Sequence, residues 1–529
     1  MPAEAAAPGA AVEQLHLTDA AATAAWLARL PLKNAAQCHA LLAAQAQLLA
    51  AAPIAPAAKL EMLELLRQPV AIAQSQQAQG CRGVPVPLEP KHRQTWNSVV
   101  GLWKAMAAGY DSLIDAMAAG APQLATQAHL ICQRALRYTA LAMFEYCHVH
   151  HAASGTLWQQ LHRLYVFSEN AGVAATTVSD AVGRESATTT CAATYAHALL
   201  MHHAQPDSLT SELLDTVDRW LDRWGSLVAL TPEALPHSSI PALAVDVASK
   251  KGAGFAKDLP AAGVRHLNLE GLSKTLRQTV AALKQQTPGQ LGLGHLARDA
   301  CERLLLLLHI QWCAAGTGRG DERSPVSIKV IISPNLASAH FHLTGKTFRQ
   351  PDGDLTAAER QKMAMLGQVS EHTEQALASQ RSAALETWVI VNQSVSGFLG
   401  TAREKEVVNR ISHHQLVGLQ APARKTMHIG IVQRLIVDEG GTIWIGLRII
   451  LGTPQAAAVR AGDGAGKYER ALLMPEDAAR KIPASIMLLP GWYQSNRVFH
   501  LRAEKEAKIK LHALLDSGSN FERATYTTA

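Results

Sequence analysis

The hydrophobic pattern of this chain changes period once, near Gly316, and that change limits the folds open to it. Before it, apolar residues recur at steps of three and four. "WNSVVGLWKAMAAGYDSLIDAMAAG" (96–120) sets Val99, Trp103, Met106, Tyr110, Leu113 and Met117 on one stripe of a helix. Residues 121–154, 156–170, 190–204 and 209–230 continue in the same style, joined by short links such as "GAP" and "QPDS". Pro-Asp ahead of "SLTSELLDTVDRWLDRWGSL" predicts a helix start. The frequent alanines favour helix as well. Helices on short links build a bundle or an irregular solenoid. No fixed repeat length runs through them, so no named repeat class is supported.

After Gly316 the apolar runs become short and β-branched: "VSIKVIIS" (326–333), "ETWVIV" (386–391), "HQLVGLQ" (414–420), "TMHIGIVQRLIVD" (426–438) and "GTIWIGLRIIL" (441–451). The last two meet at "EGG", a hairpin turn. "ERALLM", "ASIMLL", "RVFHL" and "AKIKLHALLD" are further strands. Short strands with turn signals predict a small closed antiparallel barrel. The expected fold class is therefore multidomain, an all-α N-terminal bundle or solenoid followed by a C-terminal antiparallel β-barrel. The expected domains are 1–230, helical; 231–316, a linker with one strand at "ALAVDVA" and two helices (269–285 and 296–315); and 317–529, the barrel. Its strand series is interrupted by a helical insertion at about 345–384, which contains "LTAAERQKMAMLGQVSEHTEQALASQR".

Charge and cysteine usage narrow the function classes. Forty-nine cations face 43 anions, a net +6, without a Lys/Arg block of the kind that binds a nucleic acid polymer. A local basic patch for a small phosphate ligand stays open. The seven cysteines are scattered and form no Cys-x-x-Cys pair, which fits a reducing compartment. No basic segment precedes an apolar one at the N-terminus, and the longest apolar run, from Leu304, is too short to span a bilayer. These features lead us to expect a cytoplasmic protein with no signal peptide and no transmembrane segment.

Two short motifs carry chemistry. "VNQSVSGFLG" (391–400) contains Asn392, Ser394 and Gly397, spaced Asn-x-Ser-x-x-Gly, at a strand end. "GRGDERSPVSIKVIIS" holds Arg319 and Arg323, spaced Arg-x-x-x-Arg, just ahead of the first strand. The arginine spacing recurs at Arg219 and Arg223 in "DRWLDRW", there on a helix face. The conjunction of both motifs, in this order and at these strand positions, resembles the PilZ family of receptors for the bacterial second messenger cyclic di-GMP. The resemblance covers about the last 200 residues. The gap from Arg323 to Asn392 is longer than is usual in the family, and the insertion accounts for it. The layout of a long helical region before an interrupted barrel is similar to larger PilZ receptors linked to type IV pili and surface attachment.

The resemblance implies that Arg319 and Arg323 clamp the ligand, forking onto phosphate or guanine or stacking on a purine. It implies that Asn392 and Ser394 meet guanine edges, with Asn weaker there than Asp, and that Gly397 supplies a special backbone angle. The glycines beside Arg319 suggest a segment free to close. The implied function is a cyclic di-GMP receptor coupling messenger level to attachment, pili or motility. Its helical half would engage a pilus, flagellar or secretion partner. Two alternatives stand: an adaptor that no longer binds nucleotide, and an enzyme or chaperone whose function lies in the helices.

Other patterns carry less. Cys147, His148, His150 and His151 in "FEYCHVHHAAS" lack a convergent third ligand and read as a helix end rather than zinc. "AGDGAGKYER" has the wrong spacing for a phosphate loop, with Tyr468 where Ser or Thr must stand. Arg403 reads as a solvent-facing cation. No catalytic constellation, metal site or cofactor is expected.

Overall fold

The computed structural model of the chain describes residues 14–234, 240, 243–260, 263–314, 323–350, 386–421, 426–462 and 467–528. It divides into two compact units, Met1–Val84 with Glu89–Gly318, and Pro85–Leu88 with Arg319–Ala529.

The first unit is built on ten α-helices among the described residues: α1 Ala20–Leu27, α2 Ala35–Ala51, α3 Pro56–Ala78, α4 Pro90–Ala118, α5 Ala128–His148, α6 Gly155–Asn170, α7 Cys191–His203, α8 Ser211–Trp224, α9 Glu270–Ala282 and α10 Arg298–Cys313. The stripe expected on 96–120 is the buried face of α4, where Val99, Trp103, Met106, Tyr110 and Leu113 join one continuous core. Side chains of this size each contribute about 1.5–3 kcal/mol on burial. Gly109 lets α3 approach: a Cβ there would stand 2.7 Å from Leu63 Cδ2. Thr210, not the Pro-Asp pair, caps α8, accepting from the Leu213 N–H, and Pro206–Ser208 forms a separate 3-10 turn.

The described residues of 231–316, a span expected as a linker with one strand and two helices, contribute to this same core. Strands β3 Ala229–Thr231, β4 Leu243–Asp246, β5 Gly254–Phe255 and β6 Val264–Asn268 form an antiparallel sheet in the order β3-β6-β4-β5. Leu243, Val245, Leu267, Leu272, Leu276, Leu304 and Leu308 extend the helical core. The Pro/Gly/Ser composition marks its turns, not a loss of packing. Earlier in the chain, β1 Val178–Ser179 and β2 Thr188–Thr189 pair as a small ribbon.

The second unit corrects the single-barrel expectation: 317–529 holds two closed, six-stranded antiparallel barrels. The first comprises β7 Ser324–Ser333, β8 Glu386–Gln393, β9 Gly397–Arg403, β10 Leu416–Gln420, β11 Met427–Val437 and β12 Thr442–Ile450, in the order β10-β11-β12-β9-β8-β7. The second comprises β13 Gln455–Ala461, β14 Glu469–Met474, β15 Ser485–Leu488, β16 Val498–Arg502, β17 Glu506–Ser517 and β18 Glu522–Thr528, in the order β13-β14-β15-β18-β17-β16. Strand signals are local, whereas closure is a long-range pairing, so a run of strands does not declare where one barrel ends.

Along β12, Ile443, Ile445 and Leu447 are buried and alternate with the less buried Trp444, Gly446 and Arg448, as a barrel wall requires. The "EGG" turn joins β11 to β12, with Gly441 at φ +71°, where other residues are strained. After β7 comes a helix, α11 Leu336–Thr344. Its Leu336 and Ala339 pack with Leu416, Ile429 and Ile431 of the first barrel and Leu472, Met487 and Phe521 of the second. The expected insertion lies, from 351 to its end, outside the described residues.

Candidate ligand site on the first barrel

The first and second strands of the first barrel pair just beyond Arg323 and just before the Ser394–Gly397 turn. In the β7–β8 register Ser324 faces Gln393 and Pro325 faces Asn392. Pro325 has no N–H to give the ladder, and the register shifts directly after it, between Pro325 and Ile328. Arg323, exposed and immediately before β7, is thereby carried to the level of Ser394. Arg319 lies outside the described residues.

The turn itself is tight. The Ser394 N–H donates to the Gly397 carbonyl at 2.8 Å, and its hydroxyl donates to the same oxygen at 3.3 Å. The Ile449 N–H donates to the Ser396 carbonyl at 2.9 Å, which fastens the turn to β12. Val395 at the tip is 78% exposed.

Gly397 differs from the expectation. Its φ is not in the left-handed region; a Cβ there would instead meet the Leu447 carbonyl oxygen at 3.1 Å. The position needs a glycine for close strand approach rather than for an unusual angle. Asn392 is half-buried and sits at a bulge, opposite Leu399. Its Oδ1 is shielded from solvent and has no hydrogen-bond partner among the described residues. The same holds for the Thr401 hydroxyl on β9. A buried acceptor without a donor costs about 1–3 kcal/mol, so such an atom is a candidate for a ligand contact.

Sequence reading missed Arg448. It stands directly across from Gly397 on β12, and its side chain is 40% exposed. Its Nη2 donates to Asp516 on β17, which also takes Arg523 Nη1 at 3.1 Å. An acid of the second barrel thus holds a cation beside the motif turn of the first. Only the β9–β12 register reveals this neighbour. Burial first, and then Arg448, push the His414 imidazole down, while Asp516 opposes them. Arg403, by contrast, lies at the other end of β9, where Nη1 donates to Gly440 O at 3.3 Å and Thr442 Oγ1 at 3.1 Å.

The patterns set aside have ordinary partners. Cys147 Sγ points to the Met143 carbonyl, His148 Nδ1 lies 2.7 Å from Ser211 Oγ, and His151 Nδ1 lies 2.8 Å from the Val149 oxygen. Among the described residues no group of three or more His, Cys, Asp or Glu is placed to hold a metal ion. None of the described helices is long and apolar enough to cross a membrane. The Tyr468 N–H donates to Gln350 Oε1 at 2.8 Å, and the Arg460 guanidinium lies 4.6 Å from its ring centre.

Comparison with known proteins gives two family matches. The model described as the cyclic-di-GMP receptor FimW, N-terminal domain, matches residues 20–234. The model described as the FimW C-terminal beta-barrel domain matches residues 455–529, the second barrel. No curated protein matches the chain. At both ends, then, the chain is similar to one cyclic-di-GMP receptor family, and the motif-bearing barrel lies between the two matched stretches.

Proposed function

We propose that this chain is a receptor that binds cyclic di-GMP at the motif end of its first barrel. The observation that carries the reading is the β7–β8 register, which sets Arg323 beside the Asn392–Gly397 turn. The similarity of both chain ends to a cyclic-di-GMP receptor family supports it independently of the motifs. The PilZ likeness of the first barrel rests on the motifs and their strand positions.

The ligand presents two phosphates and two guanines. Arg319 and Arg323 fork onto phosphate or onto the guanine O6 and N7 edge. The unpartnered Asn392 Oδ1 accepts from a guanine N–H, which relieves its burial without a donor. The Ser394 hydroxyl, now turned to Gly397 O, is a rotor able to face the ligand. Gly397 keeps the strand pair close, and Arg448 adds positive charge opposite it.

The arginine segment is also where the chain passes from the first unit to the second. A ligand held by these arginines would bear on this stretch of chain, provided it binds one arrangement better than another. The helical unit is the output side of this reading, with a pilus, flagellar or secretion component as its partner and the cytoplasm as its location. The test is titration calorimetry with cyclic di-GMP, using GTP and cyclic AMP as controls. Selective micromolar or tighter binding is expected. Heat-silent, non-saturable behaviour in a folded sample at millimolar ligand rules the reading out.

A further inference from the structure

The helical unit contains a group of buried charges that the receptor site does not use. Asp180, 1% exposed, is surrounded by four guanidiniums, those of Arg67, Arg134, Arg137 and Arg184. Although burial raises its pKa, Arg137, Arg134, Arg67 and Arg184 together hold the carboxyl below the usual range. Arg184 reaches further, to Asp222 at the end of α8. Asp222 Oδ2 also accepts the backbone N–H groups of Glu185 at 2.9 Å and Ser186 at 3.2 Å. The carboxylate is therefore already neutralised. The Arg184 side chain is 5% exposed, yet its Nε has no hydrogen-bond partner among the described residues. Burial, and then the charge of Arg137, weaken the hold of Arg184 on its proton. An anion beside it would relieve both effects.

A cavity stands there. It measures about 390 Å³ and is bounded by the β1–β2 ribbon, the start of α7 and the end of α8. Its volume falls within the range of about 300–1,000 Å³ typical of small-molecule sites. Its lining holds the hydroxyl residues Ser186, Thr188 and Thr190, the arginines Arg184 and Arg223, and Asp222, whose charge Arg184 offsets. Arg223 is exposed, and its Nη1 donates to the Leu291 and Gly292 carbonyls at 2.9 and 3.2 Å. Arg223 belongs to the second Arg-x-x-x-Arg spacing of the chain, on α8. Two arginines and several hydroxyls in one cavity lining suit an anion carried on a polyol.

We propose that this cavity is a second small-molecule site, for a phosphomonoester carried on a sugar, with the phosphate on Arg184 and Arg223 and the sugar hydroxyls on the Ser186–Thr190 wall. The proposal does not rest on the barrel site. The test is calorimetry of the full chain, saturated with cyclic di-GMP, against GMP, ribose 5-phosphate and inorganic phosphate. Saturable binding of at least one ester is expected, and which ester binds separates a nucleotide from a plain sugar phosphate. Arg223→Ala, an exposed truncation, should weaken it about tenfold, the loss of one charge-assisted hydrogen bond. Ala193→Trp, which fills the cavity, should abolish it, and Arg323→Ala should leave it unchanged. Thermal melting checks the fold, and Arg223→Ala alone decides if Ala193→Trp does not fold. The proposal is overturned if neither ester binds, if Arg223→Ala binds as tightly as the parent, if Arg323→Ala abolishes ester binding, or if inorganic phosphate binds as tightly as the esters.

Discussion

The two barrels of the second unit close in the same way. In each, the first strand pairs with the second, the second with the third, the third with the sixth, the sixth with the fifth, the fifth with the fourth, and the fourth with the first. Their equivalent turns, between second and third strands, behave differently. In the second barrel this connection holds Asp477, whose side chain accepts the Arg480 backbone N–H at 3.1 Å and its guanidinium at 2.9 Å. That turn uses its polar groups on itself. In the first barrel Asn392, just before the turn, keeps a shielded side-chain oxygen without a donor among the described residues, while Arg448 stands across from Gly397 at the turn's end. Pro454, where the first barrel has Arg323, precedes β13. One strand order thus supports a turn that uses its polar groups on itself and one that leaves a polar atom unpaired among the described residues. Through Asp516 the second barrel instead positions a cation for the first.

The comparison breaks most visibly in the cores. Trp388 in the first barrel and Phe499 in the second are both fully buried. Truncating either to alanine should cost about 3–5 kcal/mol in urea titrations. Trp388→Ala, on the same strand as Asn392, should abolish cyclic di-GMP binding at temperatures where Phe499→Ala still binds within about tenfold of the parent. Equal loss in both would mean the barrels act as one body for binding. Next in size, Arg319→Ala with Arg323→Ala should weaken cyclic di-GMP at least about a hundredfold, two charge-assisted contacts being lost, with melting unchanged. Asp477→Ala, at the equivalent place in the second barrel, should not alter binding, and a loss there would remove the distinction drawn between the turns.

A smaller effect concerns pH. Burial first, and His414 beside it second, hold the His413 imidazole down at about 4. The folded state therefore refuses a proton that the unfolded chain accepts near pH 6.5. The stability this contributes is complete above about pH 6.5 and is lost as pH falls toward 4, at about 1 kcal/mol per pH unit. His413→Gln should flatten the fall between pH 6.5 and 5 in urea midpoints, and an unchanged slope would locate the titration elsewhere, for example at His340, which burial also pushes down to about 4.

Much of this architecture is legible in the sequence because it is local. The stripe on α4 and the alternation on β11 and β12 announce their elements by period alone. Strand β9, "GFLGTAR", and strand β13, "QAAAVRA", do not, since their small and polar residues become strands only through their neighbours. Helix α11, "LASAHFHLT", hides between strands for the same reason. The division into two barrels is a matter of closure, which no single segment carries. At the site, Arg323, Asn392, Ser394 and Gly397 are readable as spacing, and the register brings their strands together. Arg448 and Asp516 are not, because their position depends on β9 meeting β12 and on β17 reaching across from the second barrel.

The finest test of the contrast between the turns is Asn392→Asp. Asn392 Oδ1 is an acceptor without a donor among the described residues, and Arg323 and Arg448 stand on the chain segments that flank its turn. A carboxylate accepts guanine N–H groups more strongly than an amide, and charge-assisted hydrogen bonds are roughly twice as strong as neutral ones. It also carries a larger desolvation cost in the free protein, which the nearby arginines only partly offset. The two effects act on different observables. Cyclic di-GMP binding should tighten by about three- to tenfold, read by calorimetry, while the melting temperature of the free protein drops by a few degrees. Asn392→Leu removes the unpartnered oxygen, so it should raise the melting temperature slightly and weaken binding. If Asn392→Asp instead leaves binding unchanged, the oxygen faces no guanine, and the unsatisfied atom belongs to the packing of the bulge between Ile390 and Asn392 rather than to a ligand.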